Sequence, residues 1–164
     1  QERLAEKHNI SGFNSLYTFY QTGFNVRNTD LGAFLGLRQL DKLDHYVSRR
    51  HENYNLLDKL IQNYFWKPAI HNHHYVSNLG YPIIHPKRDK IVKALQENNV
   101  EVRPLVSGSM GKQPFFVELY GAQHLHNVSI VDDYGMYIPN HALLTKEEIY
   151  FMAGIVNEVI SNHE

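Results

Sequence analysis

A chain of 164 residues can bury one core of ordinary size, and its 43% apolar and 20% charged residues fall within the globular range, which excludes a collagen-like or wholly disordered chain. A formal charge of −1 gives no electrostatic footprint for nucleic acid, and no apolar run approaches the ~20 residues that span a bilayer. The absence of cysteine excludes disulfides, iron–sulfur clusters, thiolate zinc and a cysteine nucleophile. With no recognisable leader, a cytoplasmic location is expected, with neither membrane nor nucleic acid as partner. Gln1 stands where an initiator Met would, and Q-E-R-L-A-E-K-H reads as a helix already under way. The chain is therefore expected to be a piece of a longer protein.

In chain order, residues 2–8 carry a helical pattern, and Asn9–Tyr20 is a polar, aromatic-rich connector broken at Gly12. Thr29 or Asp30 offers an N-cap. From Leu31 through Phe34, Leu35, Leu40, Leu43 and Tyr46 to Leu57, Leu60 and Ile61, helical spacing predicts one long helix. It would run for roughly eight or nine turns, with room for a bend, and close at Trp66, Lys67 and Pro68. Gly32, Ala33 and Gly36 near its start permit close approach by another element.

His73–His85 reads as extended, with a turn or bulge at Gly80 and an edge position at Pro82. His85-Pro86 opens a helix over 87–98, and Val100–Val106 alternates as a strand. Residues 108–121 read as loop, 123–131 as a short helix and 134–139 as a strand. Thr145 followed by Glu148 is a capping-box pattern, and Ile149, Met152, Ile155, Val156 and Val159 give the last helix a buried face. The sum is an α+β fold in which a long helix is followed by a small antiparallel sheet with helices packed on it.

Eleven histidines raise the question of a metal, with H-N-H-H at 71–74, H-L-H at 124–126, and His85 and His141 elsewhere. No H-E-x-x-H occurs and no carboxylate stands at a convincing ligand spacing, so solvated or hydrogen-bonded histidines, not a metal site, are expected. A Walker loop, a G-x-G-x-x-G turn and a nucleophile elbow are absent. V-S-G-S-M-G at 106–111 could present backbone N–H groups to an anion or could be an ordinary loop. The turn at 23–30 combines Asn25, Arg27 and a helix N-terminus, the ingredients of a phosphate site; alternatively, Arg27 pairs with Asp30 or Asp44 on the surface.

Three blocks carry a resemblance. G-F-N-V-R-x-T-D-L-x-A-F-L-G-L-x-Q-L-x-K-L-D over 23–44, with Arg49, Arg50 and Tyr54 behind it, resembles the start of the C-terminal part of the DegT/DnrJ/EryC1/StrS sugar aminotransferases and dehydratases. V-E-V-R-P-L-V-S-G-S-M-G-K-Q-P-F-F over 100–116 is similar to their substrate loop. Y-I-P-N-H-A-L-L-T-K-E-E-I over 137–149 is similar to their closing strand-turn-helix. The second block is closest in wording to the nucleotide 4-keto-6-deoxysugar 3-dehydratases, although Ser109 stands where many members have Asn.

The resemblance implies an aspartate-aminotransferase fold dependent on pyridoxal or pyridoxamine phosphate, acting on a nucleotide-linked sugar in deoxysugar biosynthesis as a homodimer. Residues 1–28 would connect from a large N-terminal domain, 29–65 would form the linking helix and 66–164 the small domain. Asn25, helped by Arg27, would reach the cofactor phosphate of the neighbouring subunit. Arg103 and the loop from Ser107 through Ser109 to Gln113 would face the nucleotide sugar, with Asn140 and His141 near the same cleft. No lysine here matches the Schiff-base context, nor does a histidine match its replacement in the 3-dehydratases. The chain is thus expected to carry no catalytic residue and to retain the cofactor poorly by itself. The alternative is a stand-alone, non-catalytic module for dimerisation or nucleotide-sugar binding.

Overall fold

The computed structural model describes residues 2–13, 17–24 and 29–162. Its elements are α1 (Glu2–Lys7), α2 (Asp30–Leu40), α3 (Leu43–Leu60), β1 (Gly80–Ile84), α4 (Arg88–Glu97), β2 (Arg103–Pro104), α5 (Pro114–Tyr120), α6 (His126–Tyr134), β3 (Gly135–Pro139) and α7 (Lys146–Ser161). The three strands form an antiparallel sheet in the order β1-β3-β2. Register pairs Tyr81 with Ile138 and Ile83 with Met136, which puts four apolar side chains on one face. Against that face α3 contributes Tyr54 and Leu57, with Ile61 just beyond it, α4 contributes Ile91, Val92 and Leu95, and α7 contributes Ile149, Met152, Ala153 and Val156. The opposite face carries Pro82, Tyr137 and Arg103 in one row. This is the expected α+β arrangement.

The long helix comes in two pieces. α2 stops at Leu40, the Lys42 N–H turns back to the Gln39 carbonyl at 3.0 Å, and α3 restarts at Leu43. Charge suits the restart: Asp44 lies in the first turn of α3, where the helix dipole favours a carboxylate. Thr29 caps α2, its hydroxyl accepting the Gly32 N–H at 3.0 Å. α3 then ends at Leu60, before Trp66, because Asn157 of α7 replaces its next turn. That amide donates to the Leu60 carbonyl and accepts the Gln62 N–H, both at 2.8 Å.

The stretch expected to be extended over 73–85 is a strand only from Gly80. Before it, the backbone is held by α3 side chains and by Asn140 instead of a ladder. His51 Nδ1 meets the Val76 carbonyl at 3.1 Å, Arg50 donates to the Ser77 hydroxyl at 3.1 Å, and Asn140 donates to the Asn78 carbonyl at 2.8 Å. The strand expected over 100–106 shrinks to Arg103–Pro104: Pro104 has no N–H for a ladder, and Val106 and Ser107 turn left-handed at φ +48° and +64°. Residues 114–120, expected as loop, form α5 with Pro114 at its N-terminus. α6 begins and ends three residues later than its predicted span of 123–131.

α7 is fixed at both ends. At its start the Thr145 hydroxyl accepts the Glu148 N–H at 3.2 Å while the Glu148 carboxylate accepts the Thr145 N–H at 2.8 Å, completing the capping box. At its end the Lys87 ammonium donates to the carbonyls of Val159 (3.2 Å), Ile160 (2.9 Å) and Asn162. A cation on unsatisfied C-terminal carbonyls is favourable by both hydrogen bonding and the helix dipole.

Buried asparagines join these layers. Asn140, fully buried after β3, donates to the Arg50 carbonyl of α3 at 3.0 Å and to the Asn78 carbonyl, while its own N–H reaches the Leu79 carbonyl at 3.0 Å. Asn53 donates to the His141 carbonyl and Asn63 to the Ile84 carbonyl, each at 3.0 Å. Asn140→Ala removes both bridging hydrogen bonds and leaves the Asn78 carbonyl without this partner, a loss of about 2 kcal/mol. The urea midpoint should fall accordingly with an unchanged slope; an unmoved midpoint contradicts the strut.

His85 links β1 to α4, its Nδ1 accepting the Lys87 N–H at 3.0 Å. Burial first, and the neighbouring Lys87 charge second, lower its pKa below the ordinary imidazole value. The unfolded chain then binds a proton that the folded chain refuses. Stability from this group is complete above ~6.5 and is lost as pH falls from there towards the lowered folded value. His85→Gln should flatten the decline in melting temperature between about pH 7.5 and about pH 5.5. An equally steep decline in the variant removes His85 as its source.

Candidate functional site

The chain leaves β2 through three consecutive left-handed residues, Val106, Ser107 and Gly108, the last at φ +75°. Glycine relieves the third position, but Val106 is β-branched and held there without that relief. Two side chains fix this turn and its continuation. Gln113, buried, donates to the Ser107 carbonyl at 3.1 Å and accepts the Phe19 N–H at 2.7 Å; the Phe115 N–H reaches the Phe19 carbonyl at 3.4 Å. The residue 17–24 segment is thereby tied to the turn. From α6, Asp132 accepts the Ser109 N–H at 2.9 Å through one oxygen and holds the Lys112 ammonium at 2.7 Å through the other. Asp133 stands 3.6 Å from the same ammonium.

A polar cleft of about 290 Å³ results, lined by Asn9, Ser11, Thr18, Ser107, Ser109, Lys112, Gln113 and Asp132. Hydroxyls, amides and one ion pair make a surface suited to a polyhydroxylated ligand. An apolar cleft of about 610 Å³ adjoins it, with Phe19, Leu105, Val106, Met110 and Val131 on its walls. A third, of about 520 Å³, lies between Leu79, Pro82, Tyr137 and Val106. Val106, 84% exposed, forms the crest between these last two.

Ser107, Ser109 and Gln113, expected to act together, therefore share one cleft. Arg103 and His141 do not join it. The Arg103 guanidinium is bound through two nitrogens, at 2.8 and 3.0 Å, to the Glu101 carboxylate and lies 5.8 Å over the Tyr17 ring. His141 is exposed in the turn after β3, where its Nδ1 accepts the Leu143 N–H at 3.2 Å. Asn25 and Arg27 lie outside the described residues. Asp132 and Lys112 complete the cleft, yet Asp132 is twenty positions from Lys112 and belongs to no local motif that could have singled it out.

The histidines of 71–74 cluster mainly with one another, ring centroids 4.3–5.7 Å apart, with His74 Nδ1 accepting the His71 N–H at 3.2 Å. Among the described residues no group of three or more His, Asp or Glu side chains could hold a metal ion. Covalent capture of a carbonyl cofactor requires a neutral amine, which neither lysine nearest the cleft and sheet offers. The hydrogen bond to Asp132 raises the Lys112 pKa and keeps it an ammonium, and the Lys87 ammonium is occupied by three carbonyls.

This sheet and helix arrangement is that of the pyridoxal-phosphate-dependent sugar aminotransferases and dehydratases. The chain belongs to the DegT/DnrJ/EryC1/StrS aminotransferase family, whose model matches residues 2–157. Among solved structures, the sugar aminotransferase CalS13 from Micromonospora echinospora superposes with a TM-score of 0.71 at 17% identity, covering 83% of this chain and 37% of that one. The E. coli GDP-4-keto-6-deoxy-D-mannose-3-dehydratase with bound hydrated PLP gives 0.67 at 22% identity, covering 88% and 39%. Among curated proteins, a GDP-4-keto-6-deoxy-D-mannose 3-dehydratase of Yersinia pseudotuberculosis is 23% identical, over 94% of this chain and 42% of its own length. A GDP-perosamine synthase of Caulobacter vibrioides is 28% identical, over 90% and 41%. The chain thus spans about two fifths of the length of these relatives. Among the described residues, no helix is long and apolar enough to cross a membrane.

Gln113→Ala removes the partner of both the Phe19 N–H and the Ser107 carbonyl. Amide exchange at Phe19 should accelerate about tenfold, with a global cost of about 1–2 kcal/mol. Unchanged exchange at Phe19 separates the segment from the turn.

Proposed function

We propose that these residues serve as the C-terminal portion of a pyridoxal or pyridoxamine phosphate-dependent enzyme acting on a nucleotide-linked sugar, contributing substrate and subunit contacts and not the covalent chemistry. The carrying observation is the turn 105–113: the most substrate-like block of the sequence folds into a polar cleft with Ser107, Ser109 and Gln113 side by side. Its hydroxyls and amides suit sugar oxygens, and Arg103, were it to exchange Glu101 for an anion, offers a fork for a diphosphate. Asn25 and Arg27 are assigned to the cofactor phosphate of a neighbouring subunit. Relatives of both activities match the chain; the wording of residues 103–116 favours the 3-dehydratases.

The homodimer is supported by α2. Leu31, Phe34, Leu35, Leu37 and Leu40 are 54–69% exposed around nearly the whole helix, and Gly36 has open space beside it. An exposed apolar face this broad belongs against another body. The cytoplasm is the proposed location.

A mass measurement on the intact native protein tests the reading. A polypeptide more than twice as long as these residues, carrying the cofactor site, is expected, and a native start at Gln1 overturns it. The 164-residue chain mixed with pyridoxal phosphate should keep no absorbance between roughly 330 and 420 nm after dialysis, since the cofactor's covalent anchor lies elsewhere. Retained absorbance would place the anchor within this chain.

A further inference from the structure

We infer that Asp132 is a positioning residue that shapes the 106–109 turn for its ligand, an inference that rests on the nucleotide-sugar reading of the cleft. Asp132 lies in none of the three family-like blocks. The turn needs such a device: Val106 (φ +48°, ψ +37°) and Ser107 (φ +64°) are non-glycine residues in the left-handed region, in sequence. Backbone of this kind persists only where its surroundings over-determine it.

Asp132 supplies that constraint from below. Its side chain is only 14% exposed, one oxygen takes the Ser109 N–H and the other the Lys112 ammonium. The residue is itself anchored, because the Arg88 guanidinium, 11% exposed, donates to the Asp132 carbonyl at 2.7 Å. Gly108 lies directly on the carboxylate, so that a Cβ there would fall 2.0 Å from Oδ1. Gln113 grips Ser107 from the other side, and the strained residues are stretched between two fixed points. With both oxygens engaged inside the protein, Asp132 acts on the ligand through the turn.

Three variants of the native full-length protein test this: Asp132→Ala, Asp132→Asn and Gly108→Ala. Amide exchange over 106–113 is read first, then calorimetric titration with GDP-mannose and dTDP-glucose, with the melting temperature alongside. In Asp132→Ala the Ser109 amide should lose protection by about tenfold or more and nucleotide-sugar affinity should fall about tenfold, while exchange in α7 is unchanged. Asp132→Asn keeps an acceptor for Ser109 and should restore most of both. Gly108→Ala, which leaves the carboxylate in place but drives the turn off it, should reproduce Asp132→Ala; it also serves if that variant does not fold. Unchanged exchange over 106–113 in Asp132→Ala, or in Gly108→Ala where the former does not fold, overturns the inference, as does faster exchange with unchanged affinity. A wild-type full-length protein that binds neither sugar nucleotide overturns the ligand reading instead, while exchange still decides whether Asp132 holds the turn.

Discussion

The side-chain amide of Asn140 is the junction on which the arrangement depends. It lies where β3 ends, and a single amide nitrogen bridges the carbonyl of Arg50 on α3 and that of Asn78 just before β1. Asparagine can do this because its amide mimics a peptide group while standing off the main chain. Three other asparagines repeat the device: Asn53 fastens the β3–α7 turn to α3, Asn63 ties the chain after α3 to the end of β1, and Asn157 closes the C-terminus of α3. Each replaces a regular hydrogen-bond partner where a helix or strand stops. The hydrophobic layer between sheet and helices supplies the driving force, but these amides set where each layer ends. Tyr81 extends the same logic to the aromatic core. Its hydroxyl donates to Asp58 at 2.9 Å, and burial followed by that hydrogen bond raises its pKa well above the ordinary phenol value.

From that frame the 105–113 turn hangs at one edge. β2 is only two residues long, so the turn cannot draw its shape from the sheet. It takes it instead from Gln113 on α5's N-terminal side and Asp132 on α6, two contacts made across the fold. Lys112 is thereby neutralised within the protein, and its ammonium is less available to an incoming anion than its position on the cleft wall suggests. Specificity in the cleft would come from hydroxyl and amide geometry, with Val106 and Met110 closing the apolar side.

What was legible in the sequence was local. The capping box at Thr145 and Glu148 marks the start of α7 because all its atoms lie within four residues, and the regular apolar spacing from Ile149 onward agrees with it. Ser107, Ser109 and Gln113 could be grouped in advance because they sit on one short block. α5 is harder to read locally: Pro114 is a good first-turn residue, but Gly108, Gly111 and Gly121 around it give the stretch a loop composition. The end of α3 at Leu60 and the shortness of β1 could not be read locally, since Asn157 is 97 positions from Leu60 and Asn140 is 62 from Asn78. Asp132 was hidden for the same reason. The partners that hold Arg103 and His141 in this structure, Glu101 with Tyr17 and the 141–143 turn, are side-chain arrangements that motif wording does not specify.

The sheet's two faces carry unequal burdens. Tyr81, Ile83, Met136 and Ile138 are locked into the core, whereas the row through Pro82, Tyr137 and Arg103 looks outward, its first two members onto a cleft. Substitution along that outward row changes what the domain touches without repacking its interior. The inward row can thus keep the architecture, which is shared with structures at 17–22% identity, while the outward row varies.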